Sequence, residues 1–377
     1  MHFDTVVLGA GINGLSTAYH LLRRGVKSLA LVEQHTLGHH LGSSHGMSRI
    51  TRSSYSTAKY VEMIQVAHSQ EWPRLAKEAG KSFLHPTTGC FFGPGNGAYL
   101  ESVQAVPEIA DRVEILGKAE ARQAFPCFAF PDSVQVIKDH TCAVVSAAET
   151  IGWLGETVGR EATVLEQHKV TEVCRTPAEI RLRTERGELT CGRLVVTAGG
   201  WLRQLFPQFA PKLQVAHQDV GYFEIEGADK VPVWVYCPAQ GDSFYGLPEF
   251  RRPGIKVARH RTGPEGDDPD RPIAREMPEH VRKELEGFVR AQFTSSAKVV
   301  GYEACLYTNT VREDFILDHH PEDKRIVIGS ACSGHGFKFG PLSGRILAGL
   351  LLDGKTDVEP FERHRREFSV ISQGEWN

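Results

Sequence analysis

A glycine-rich turn between an apolar strand and a helix constrains this chain more than any other feature of its sequence. The apolar, β-branched residues 5–8 precede the sequence GAGING at residues 9–14. Residues 15–24 then follow a helical period, and residues 28–32 are apolar again. This order predicts a βαβ unit at the start of a parallel sheet. Because the turn opens a helix, its backbone N–H groups and the helix dipole suit a dinucleotide pyrophosphate.

The position of an acidic residue supports this interpretation. Glu33 stands nineteen residues after Gly14, at the end of the second predicted strand. A carboxylate there can accept hydrogen bonds from an adenosine ribose. We therefore expect Glu33, with Gly9, Gly11 and Gly14, to bind the ADP half of a dinucleotide. The motif does not separate FAD from NAD, because both carry that half.

The rest of the sequence predicts a second domain inserted into the nucleotide-binding one. The α/β pattern returns in five later segments. They are a helix at 150–160, strands at 162–173, 180–189 and 193–197, and a strand–glycine–helix segment at 325–352. Between 214 and 305, shorter strands and a charged helix at 278–292 favour an antiparallel sheet. Residues 34–60, rich in His, Ser, Gly and Arg, are predicted to form a long functional loop.

The expected fold class is therefore α/β, with a Rossmann-like nucleotide-binding domain and an inserted α+β substrate domain that has a mixed or antiparallel sheet. The predicted ranges of the first domain are 1–84, 143–212 and 311–377, and those of the second are 85–142 and 213–310.

Composition narrows the class of protein further. The 43 basic and 46 acidic residues give a net charge of −3, which provides no field to hold a nucleic acid or an anionic membrane. No apolar run approaches the roughly 18 to 20 residues that span a bilayer, and residues 1–4 do not begin a signal peptide. We expect a cytoplasmic protein. The eight scattered cysteines form no metal-binding pattern, so we expect reduced thiols and no metal.

Five segments together resemble the monomeric sarcosine oxidase family of the D-amino-acid oxidase superfamily, which includes N-methyltryptophan oxidase and pipecolate oxidase. The resemblance runs over essentially the full length, with the motifs in the same order. The segments are residues 9–14, 42–52 (GSSHGMSRITR), 195–201 (VVTAGGW), 303–308 (EACLYT) and 334–338 (GHGFK). The resemblance implies an FAD enzyme, expected to be monomeric, that oxidises the C–N bond of a small amino acid to an imine and reduces O2 to H2O2. A secondary or N-methyl amine is the favoured substrate.

For the cofactor, the resemblance implies a covalent thioether between the flavin 8α-methyl group and Cys305. Positive charge near the flavin N1–C2=O edge would stabilise the charge that develops there on reduction. Beyond the ADP-binding residues, the expected cofactor-binding residues are Ser44, His45, Ser48, Arg49, Val170, Gly334, Gly336, Phe337 and Lys338.

For the substrate, Arg52 and Lys338 match the family's carboxylate-binding pair, and the planar fork of arginine suits bidentate binding of a carboxylate. Tyr245, His260 and Tyr307 match pocket residues that surround a neutral amine.

Lys256 matches the lysine that activates O2, since a cation stabilises developing superoxide. The residues expected to act in catalysis are Lys256, Arg49, His260 and Tyr245.

Two alternatives stay open at this point. One is a flavin dehydrogenase that passes electrons to a quinone or a carrier protein. The other is a non-catalytic or NAD-binding Rossmann protein. The sequence also departs from the family at Ser43-Ser44-His45, where relatives more often have a serine and two histidines. Trp234 and Tyr236 stand where a pocket-lining methionine can occur, and we hypothesise that one of them narrows the pocket.

Overall fold

Three β-sheets and their covering helices build the fold. The computed structural model describes residues 1–132, 134–260, 268–272 and 274–375. The strands within these residues are β1 (His2–Leu8), β2 (Leu29–Val32), β3 (Ser48–Thr51), β4 (Leu84–Pro86), β5 (Gly89–Phe92), β6 (Val113–Leu116), β7 (Val136–Asp139), β8 (Ala143–Ser146), β9 (Thr163–Leu165), β10 (Val170–Arg175), β11 (Ile180–Thr184), β12 (Gly187–Val196), β13 (Gln214–Ile225), β14 (Val233–Tyr236), β15 (Phe244–Leu247), β16 (Ile255–Arg259), β17 (Ala297–Asn309), β18 (Ile316–His320) and β19 (Asp323–Ser330).

Helices cover the sheets and join their strands. The α-helices are α1 (Ile12–Arg23), α2 (Ala58–Val66), α3 (Trp72–Ala79), α4 (Gly97–Gln104), α5 (Lys118–Ala124), α6 (Ala147–Gly159), α7 (Leu202–Leu205), α8 (Glu279–Gln292), α9 (Gly340–Asp353) and α10 (Glu359–His364). A π-helical segment, Ala67–Glu71, joins α2 to α3, and a single 3₁₀ turn, Phe337–Phe339, leads into α9.

The first sheet confirms the predicted βαβ unit. Its strands run in the order β10-β11-β12-β1-β2-β9, with β19 beside the end of β12 and β18 beside β19. The strands β9, β2, β1, β12 and β19 are parallel. Helix α1 begins at Ile12, so residues 12–14 of the predicted turn are already helical. The parallel strands end at one edge, where a dinucleotide binds in folds of this kind.

The prediction of a single strand at 162–173 is wrong. This stretch forms β9 and β10, which lie at opposite edges of the first sheet. Gln167, between them, has φ of 56°, in the left-handed region that interrupts a strand. The polar residues 166–169 supply no apolar face that would keep the strand continuous.

The second sheet is mainly antiparallel, with the order β17-β13-β16-β15-β14-β5-β7-β6 and one parallel pair, β14 with β5. The expectation of shorter strands here is wrong for β13 and β17, which have 12 and 13 residues and pair along their lengths. Helix α8 falls at the predicted charged helix. Its apolar stripe, including Leu285 and Phe288, packs in a cluster with Phe223 and Trp234 on one face of this sheet.

The third sheet corrects the predicted loop at residues 34–60. It has the order β3-β8-β4. Strand β3 lies within the supposed loop, and helix α2 begins at Ala58. The alternation in residues 48–51 is too short to identify a strand from one sequence. We retain the two-domain division as a proposal, and parts of its ranges fall outside the described residues.

Candidate active site

One large cavity of about 1010 Å³ reaches from the carboxyl edge of the first sheet to one face of the second. It contacts the ends of β1, β2, β12 and β19, and the side chains of β16 and β17. Almost all the site residues expected from the sequence line it. They are Gly9, Gly11, Glu33, Ser44, His45, Ser48, Arg49, Arg52, Val170, Tyr245, Lys256, His260, Cys305, Tyr307, Gly334, Gly336, Phe337 and Lys338.

Gly14, the remaining expected residue, lies beneath the turn instead of on the cavity wall. A Cβ at Gly14 would overlap the carbonyl oxygen of Gly9 and approach Thr197 Oγ1 to 2.6 Å. Gly9 has φ of 96°, and a Cβ there would come within 2.5 Å of the Thr197 carbonyl oxygen. The two glycines therefore let α1 and the strand ends approach closely enough to form the turn.

Glu33 lies at the end of β2, as expected, and is only 4 % exposed. Its carboxylate accepts hydrogen bonds from the backbone N–H groups of Ala10 and His35, both at 2.9 Å. Carboxylate oxygens have about four acceptor directions, so further hydrogen bonds can be accepted from a ligand in the cavity. Glu33 thus connects the glycine turn to the next loop.

Two polar side chains complete the start of α1. Ser44 Oγ accepts a hydrogen bond from the N–H of Ile12 at 3.0 Å, so residues 42–46 are attached to the helix N-terminus. Asn13 donates to the Ala331 carbonyl at 3.1 Å. Its buried Oδ1 has no hydrogen-bond partner among the described residues. Asn13 was not predicted as a site residue, although it stands inside the glycine motif.

Arg49 and Lys256 place two cations at the middle of the cavity. Arg49 donates to the carbonyl oxygens of Ser48, Ser43 and His45 at 2.8, 2.9 and 2.5 Å. Lys256 is 5 % exposed, and its Nζ lies 3.5 Å from the Ser48 carbonyl oxygen. Burial, and next the charge of Arg49, lower the pKa of Lys256 to about 8. Lys256 therefore lies where little water reaches, and the half-buried Arg49 adds a positive charge nearby.

His45 attaches its loop to the strand that carries Cys305. The two ring nitrogens lie 3.1 Å from the Gly42 carbonyl oxygen and 3.0 Å from that of Ala304. Burial and Arg49 lower the pKa of His45 to about 4, so the ring is neutral near pH 7 and donates to one of the two. Burial also raises the pKa of the Cys305 thiol, against the opposing charge of Arg49.

Arg52 and Lys338 form a second pair of cations. Arg52 is 9 % exposed and Lys338 is 5 % exposed. Arg52 donates to the Ser54 carbonyl oxygen, and Lys338 donates to that of His335 at 2.8 Å. Within the described parts of the chain, neither cation forms an ion pair with a carboxylate, and the groups that shift their pKa values include none. Burial, and next the charge of Arg52, hold the pKa of Lys338 well below its ordinary value. An anionic ligand would compensate both charges.

Three aromatic side chains form the polar wall next to these cations. The hydroxyl groups of Tyr245 and Tyr307 lie 3.1 Å apart. The ring of His260 lies 5.5 Å from that of Tyr307, and its Nε2 lies 3.6 Å from Glu313 Oε1. Burial raises the pKa of Tyr245 to about 12, so its hydroxyl stays neutral. Gly334 has φ of 71°, and a Cβ there would overlap the rings of His260 and Tyr307.

The hypothesis that Trp234 or Tyr236 narrows the pocket is wrong. Trp234 is fully buried in the core cluster beneath α8 and stacks on Phe288 at 5.5 Å. Tyr236 packs against the same cluster. Val235, between them, lines the cavity instead. Side chains alternate between the two faces of a strand, and the sequence VWVY does not show which face is the pocket.

Three residues that line the cavity near Arg52 were not predicted from the sequence. Tyr55, Tyr99 and Leu247 line the cavity there. Tyr99 comes from α4, far along the chain from Arg52, yet its hydroxyl lies 3.5 Å from Arg52 Nη2. Only a fold that brings β5 beside β14 places this residue in the site.

Comparison with known proteins identifies the class of protein that this fold and cavity define. The family model described as FAD dependent oxidoreductase (DAO) matches residues 4–350. The chain belongs to this family, and it is an FAD-dependent oxidoreductase of the kind that acts on CH–NH donors.

Curated relatives over nearly the full length support the more specific resemblance. The monomeric sarcosine oxidase of Bacillus sp. (strain B-0618) is 31% identical over 97% of this chain and 96% of its own. The human peroxisomal sarcosine oxidase is 33% identical, covering 96% of both chains. An N-methyl-L-tryptophan oxidase of Yersinia pestis (strain Pestoides F) is 27% identical over 95% and 97%. The predicted family resemblance is confirmed.

Solved structures confirm the expected fold class. The open form of NikD, an amino acid oxidase of nikkomycin biosynthesis, has a TM-score of 0.80 at 21% identity, covering 95% of this chain and 96% of its own. Glycine oxidase from Geobacillus kaustophilus has a TM-score of 0.76 at 16% identity, covering 98% of both. Among the residues described, no helix has both the length and the apolar character to cross a membrane.

Proposed function

We propose that this enzyme oxidises the C–N bond of a small amino acid, preferably a secondary or N-methyl amino acid, to an imine and reduces O2 to H2O2. The observation that carries the proposal is the buried pair Arg52 and Lys338, which has no carboxylate partner among the described residues. Keeping both groups charged away from water is costly, as the lowered pKa of Lys338 indicates, unless a ligand supplies the anion. A substrate carboxylate fits that requirement.

The cavity residues fit FAD. The glycine turn lines the cavity at the N-terminus of α1, where a helix suits a pyrophosphate. Glu33 lines the same cavity, and Asn13 has a buried oxygen without a hydrogen-bond partner among the described residues. When bound, FAD supplies an acceptor for the two electrons of the substrate. We propose that Cys305, which lines the cavity beside Arg49 and Lys256, attaches the cofactor covalently. The remaining expected cofactor residues surround the same space.

Arg52 and Lys338 bind and orient the substrate in this proposal. The guanidinium fork of Arg52 accommodates both carboxylate oxygens, and Lys338 adds a point charge. Fixing the carboxylate at one end leaves the α-carbon and the nitrogen between this pair and the middle of the cavity. Such positioning contributes to the rate by lowering the entropic cost of reaching the reactive geometry.

Tyr245, Tyr307 and His260 receive the amine. The hydroxyl groups of Tyr245 and Tyr307 offer hydrogen bonds and stay uncharged, which favours the neutral amine that can be oxidised. The amine loses two electrons and two protons overall to become an imine. Water then hydrolyses an open-chain imine, while a cyclic imine can leave intact.

Lys256 and Arg49 would serve the second half of the reaction. O2 takes up two electrons and two protons to leave as H2O2, and the first electron creates an anion. Buried positive charge stabilises that anion. This arrangement favours O2 over a quinone or a carrier protein as the electron acceptor.

The deciding experiment follows the flavin absorbance of the purified protein, first without oxygen. Sarcosine, L-pipecolate, L-proline, N-methyl-L-tryptophan, glycine and D-alanine are added in turn. Bleaching by a secondary amine, followed by rapid recovery on adding O2 and formation of H2O2, supports the proposal. Bleaching that recovers only with a quinone would identify a dehydrogenase instead. A yellow protein that none of these amines bleaches would refute the proposed substrate class.

We further propose that the enzyme is a monomer, following the monomeric sarcosine oxidases among its relatives. Light scattering of the purified protein against its mass of 41.7 kDa tests this directly. The cytoplasmic location stays a prediction from the sequence.

A further inference from the structure

A hydrogen-bonded carboxylate lies beside the proposed oxygen site. Glu303 accepts a hydrogen bond from the hydroxyl of Tyr222 at 2.7 Å and forms an ion pair with Arg252. Arg252 in turn lies over the ring of Tyr222, with its Cζ 3.7 Å from the centroid. Two donors, one of them the stacked cation Arg252, thus hold the carboxylate in one place. None of these contacts is needed to bind a substrate or to build the nucleotide turn.

Strand register places this carboxylate on the cavity face of the second sheet. Tyr222 on β13 pairs with Lys256 on β16, and Val220 on the same strand pairs with Glu303 on β17. Because residues two apart on a strand share a face, all four side chains lie on the same side. Lys256 and Glu303 both line the cavity, and Lys256 Nζ lies 6.0 Å from the Tyr222 ring centroid.

Two positive charges act on Lys256. Arg49, from β3, and Arg252, from the turn before β16, both disfavour its ammonium form. Glu303 and the Cys305 thiol favour that form, and of these two only Glu303 carries a charge near pH 7. A Cβ at Gly46 would lie 3.4 Å from Arg49 Nη1 and 3.5 Å from Glu303 Oε2, so both side chains extend to the backbone at Gly46.

The state of Glu303 is consistent with a fixed negative charge. Burial alone would raise the pKa of its carboxyl, but Lys256, Tyr222 and Arg252 together hold that pKa below its ordinary value. The carboxylate is therefore ionised over the range in which Lys256 titrates.

We propose that Glu303 is a positioning residue for the reduction of O2, one that acts by keeping the buried ammonium of Lys256 protonated and directed at the cavity. The inference rests on the proposed function and deepens it. The electrons come from the amine, as balanced above, and O2 leaves as H2O2 with two protons. Lys256 only has to be charged when the first electron arrives, and an uncharged amine would not stabilise the anion.

The test uses the holoenzyme and its Glu303→Gln variant, in which the amide keeps nearly the same shape and can still accept from Tyr222. The reduced enzyme is mixed with O2 at a series of pH values, and the reoxidation rate is recorded. The rate should fall as pH rises through about 8 in the native enzyme, as Lys256 loses its proton. In the variant this midpoint should move down by roughly 1 unit or more.

A second readout does not depend on turnover. The absorbance of the oxidised, bound flavin is titrated with pH, because loss of a nearby positive charge shifts its spectrum. The transition should lie near pH 8 in the native protein, lower in Glu303→Gln, and be absent in Lys256→Met. Glu224→Gln is the matched control, since Glu224 is exposed on the same strand as Tyr222 and should leave both midpoints unchanged.

The possible outcomes separate this inference from the proposed function. If amines bleach both proteins equally and the two pH midpoints coincide in native and Glu303→Gln protein, the inference is wrong while the proposed function stands. If no amine bleaches the native enzyme, the proposed substrate class fails, and the spectral titration still decides whether Glu303 and Lys256 are coupled. The double variant of Lys256→Met and Glu303→Gln should be reoxidised by O2 no more slowly than Lys256→Met alone. An additive loss of the reoxidation rate would contradict the proposal.

Discussion

The guanidinium group of Arg52 lies over the ring of Tyr55, with its Cζ 4.1 Å from the ring centroid. The rings of Phe91 and Tyr99 lie 5.4 Å from the same atom. Aromatic faces stabilise a cation but do not neutralise its charge. These aromatic contacts therefore help to hold the guanidinium group in place and leave its electrostatic attraction for a ligand.

Arg52→Met should weaken substrate binding much more than it alters the fold, because it removes a charge-assisted pair worth about 1.5–3 kcal/mol. The expected change is a roughly 10- to 100-fold rise in the amino acid concentration that half-bleaches the flavin without oxygen. The corresponding amine without a carboxylate should show no such difference between native and variant enzyme. Arg160→Met, at an exposed arginine, is the control. Equal weakening for the amine and the amino acid would argue against carboxylate binding by Arg52.

Cys305→Ser should release the flavin from the protein. We expect native enzyme precipitated with acid to keep its yellow colour in the pellet, because a thioether survives denaturation, whereas the variant should leave the colour in the supernatant. Cys332→Ser is the matched control, since Cys332 lines the same cavity. Free flavin from the native protein, or retention in the Cys305 variant, would contradict the proposed attachment.

Gly14→Ala should prevent the glycine turn from closing, because the new Cβ would overlap the Gly9 carbonyl oxygen. The helix would have to move away from β1, at a cost of several kcal/mol, on the order of the cost of overpacking a core. Gly287→Ala, at an exposed position of α8 with open space around it, should instead stabilise by about 0.5–1 kcal/mol. Urea unfolding measures the free energy of unfolding of both variants. If Gly14→Ala left this free energy unchanged, our explanation of the glycine turn would be refuted.

We expect Lys256 to lower the free energy of unfolding by an amount that depends on pH. Its pKa falls from 10.5 to about 8, so between these values the unfolded chain binds more protons than the native protein. The contribution of this lysine to the free energy of unfolding is therefore least favourable below about pH 8 and improves as pH rises to 10.5. Lys256→Met should be more stable near pH 7, by an amount on the order of 3 kcal/mol.

The measurement for this last variant is the difference between native and variant urea midpoints across pH 6 to 11. Taking the difference cancels the effects of other groups, such as Lys338, whose pKa is also lowered by burial. The difference should shrink above about pH 8, while the variant also loses its reactivity with O2. If the difference between the two urea midpoints instead widened as pH rises, the surroundings would be shown to stabilise the charged form of Lys256.

Sequence patterns identified the parts of this protein whose chemistry is local. The strand, glycine turn and helix of residues 5–24 follow from neighbouring residues, and so does α8. The motif residues expected around the cofactor also lie together, because each motif is short and ends a strand or opens a helix. Such features depend on backbone conformation that a few residues determine.

Other features depend on partners far away in the chain. The hypothesis that Trp234 or Tyr236 narrows the pocket fails because a strand has two faces, and only the packing of α8 decides which face lies in the core. The split of β9 from β10 depends on a left-handed residue, Gln167, that carries no glycine signal. Tyr99 enters the site through the pairing of β5 with β14, which no local pattern encodes.

The glycine turn and the segment at Gly336 face one cavity although roughly 320 residues separate them. At a synthesis rate of about 5–20 residues per second, the ribosome needs roughly 16 to 64 s to pass from one to the other. During that time the apolar side of α1 has no α9 to cover it, although these two helices contact each other in the folded protein. The nascent chain therefore carries only part of the cavity wall until translation is nearly over, and the lining of this cavity is complete only in the finished polypeptide.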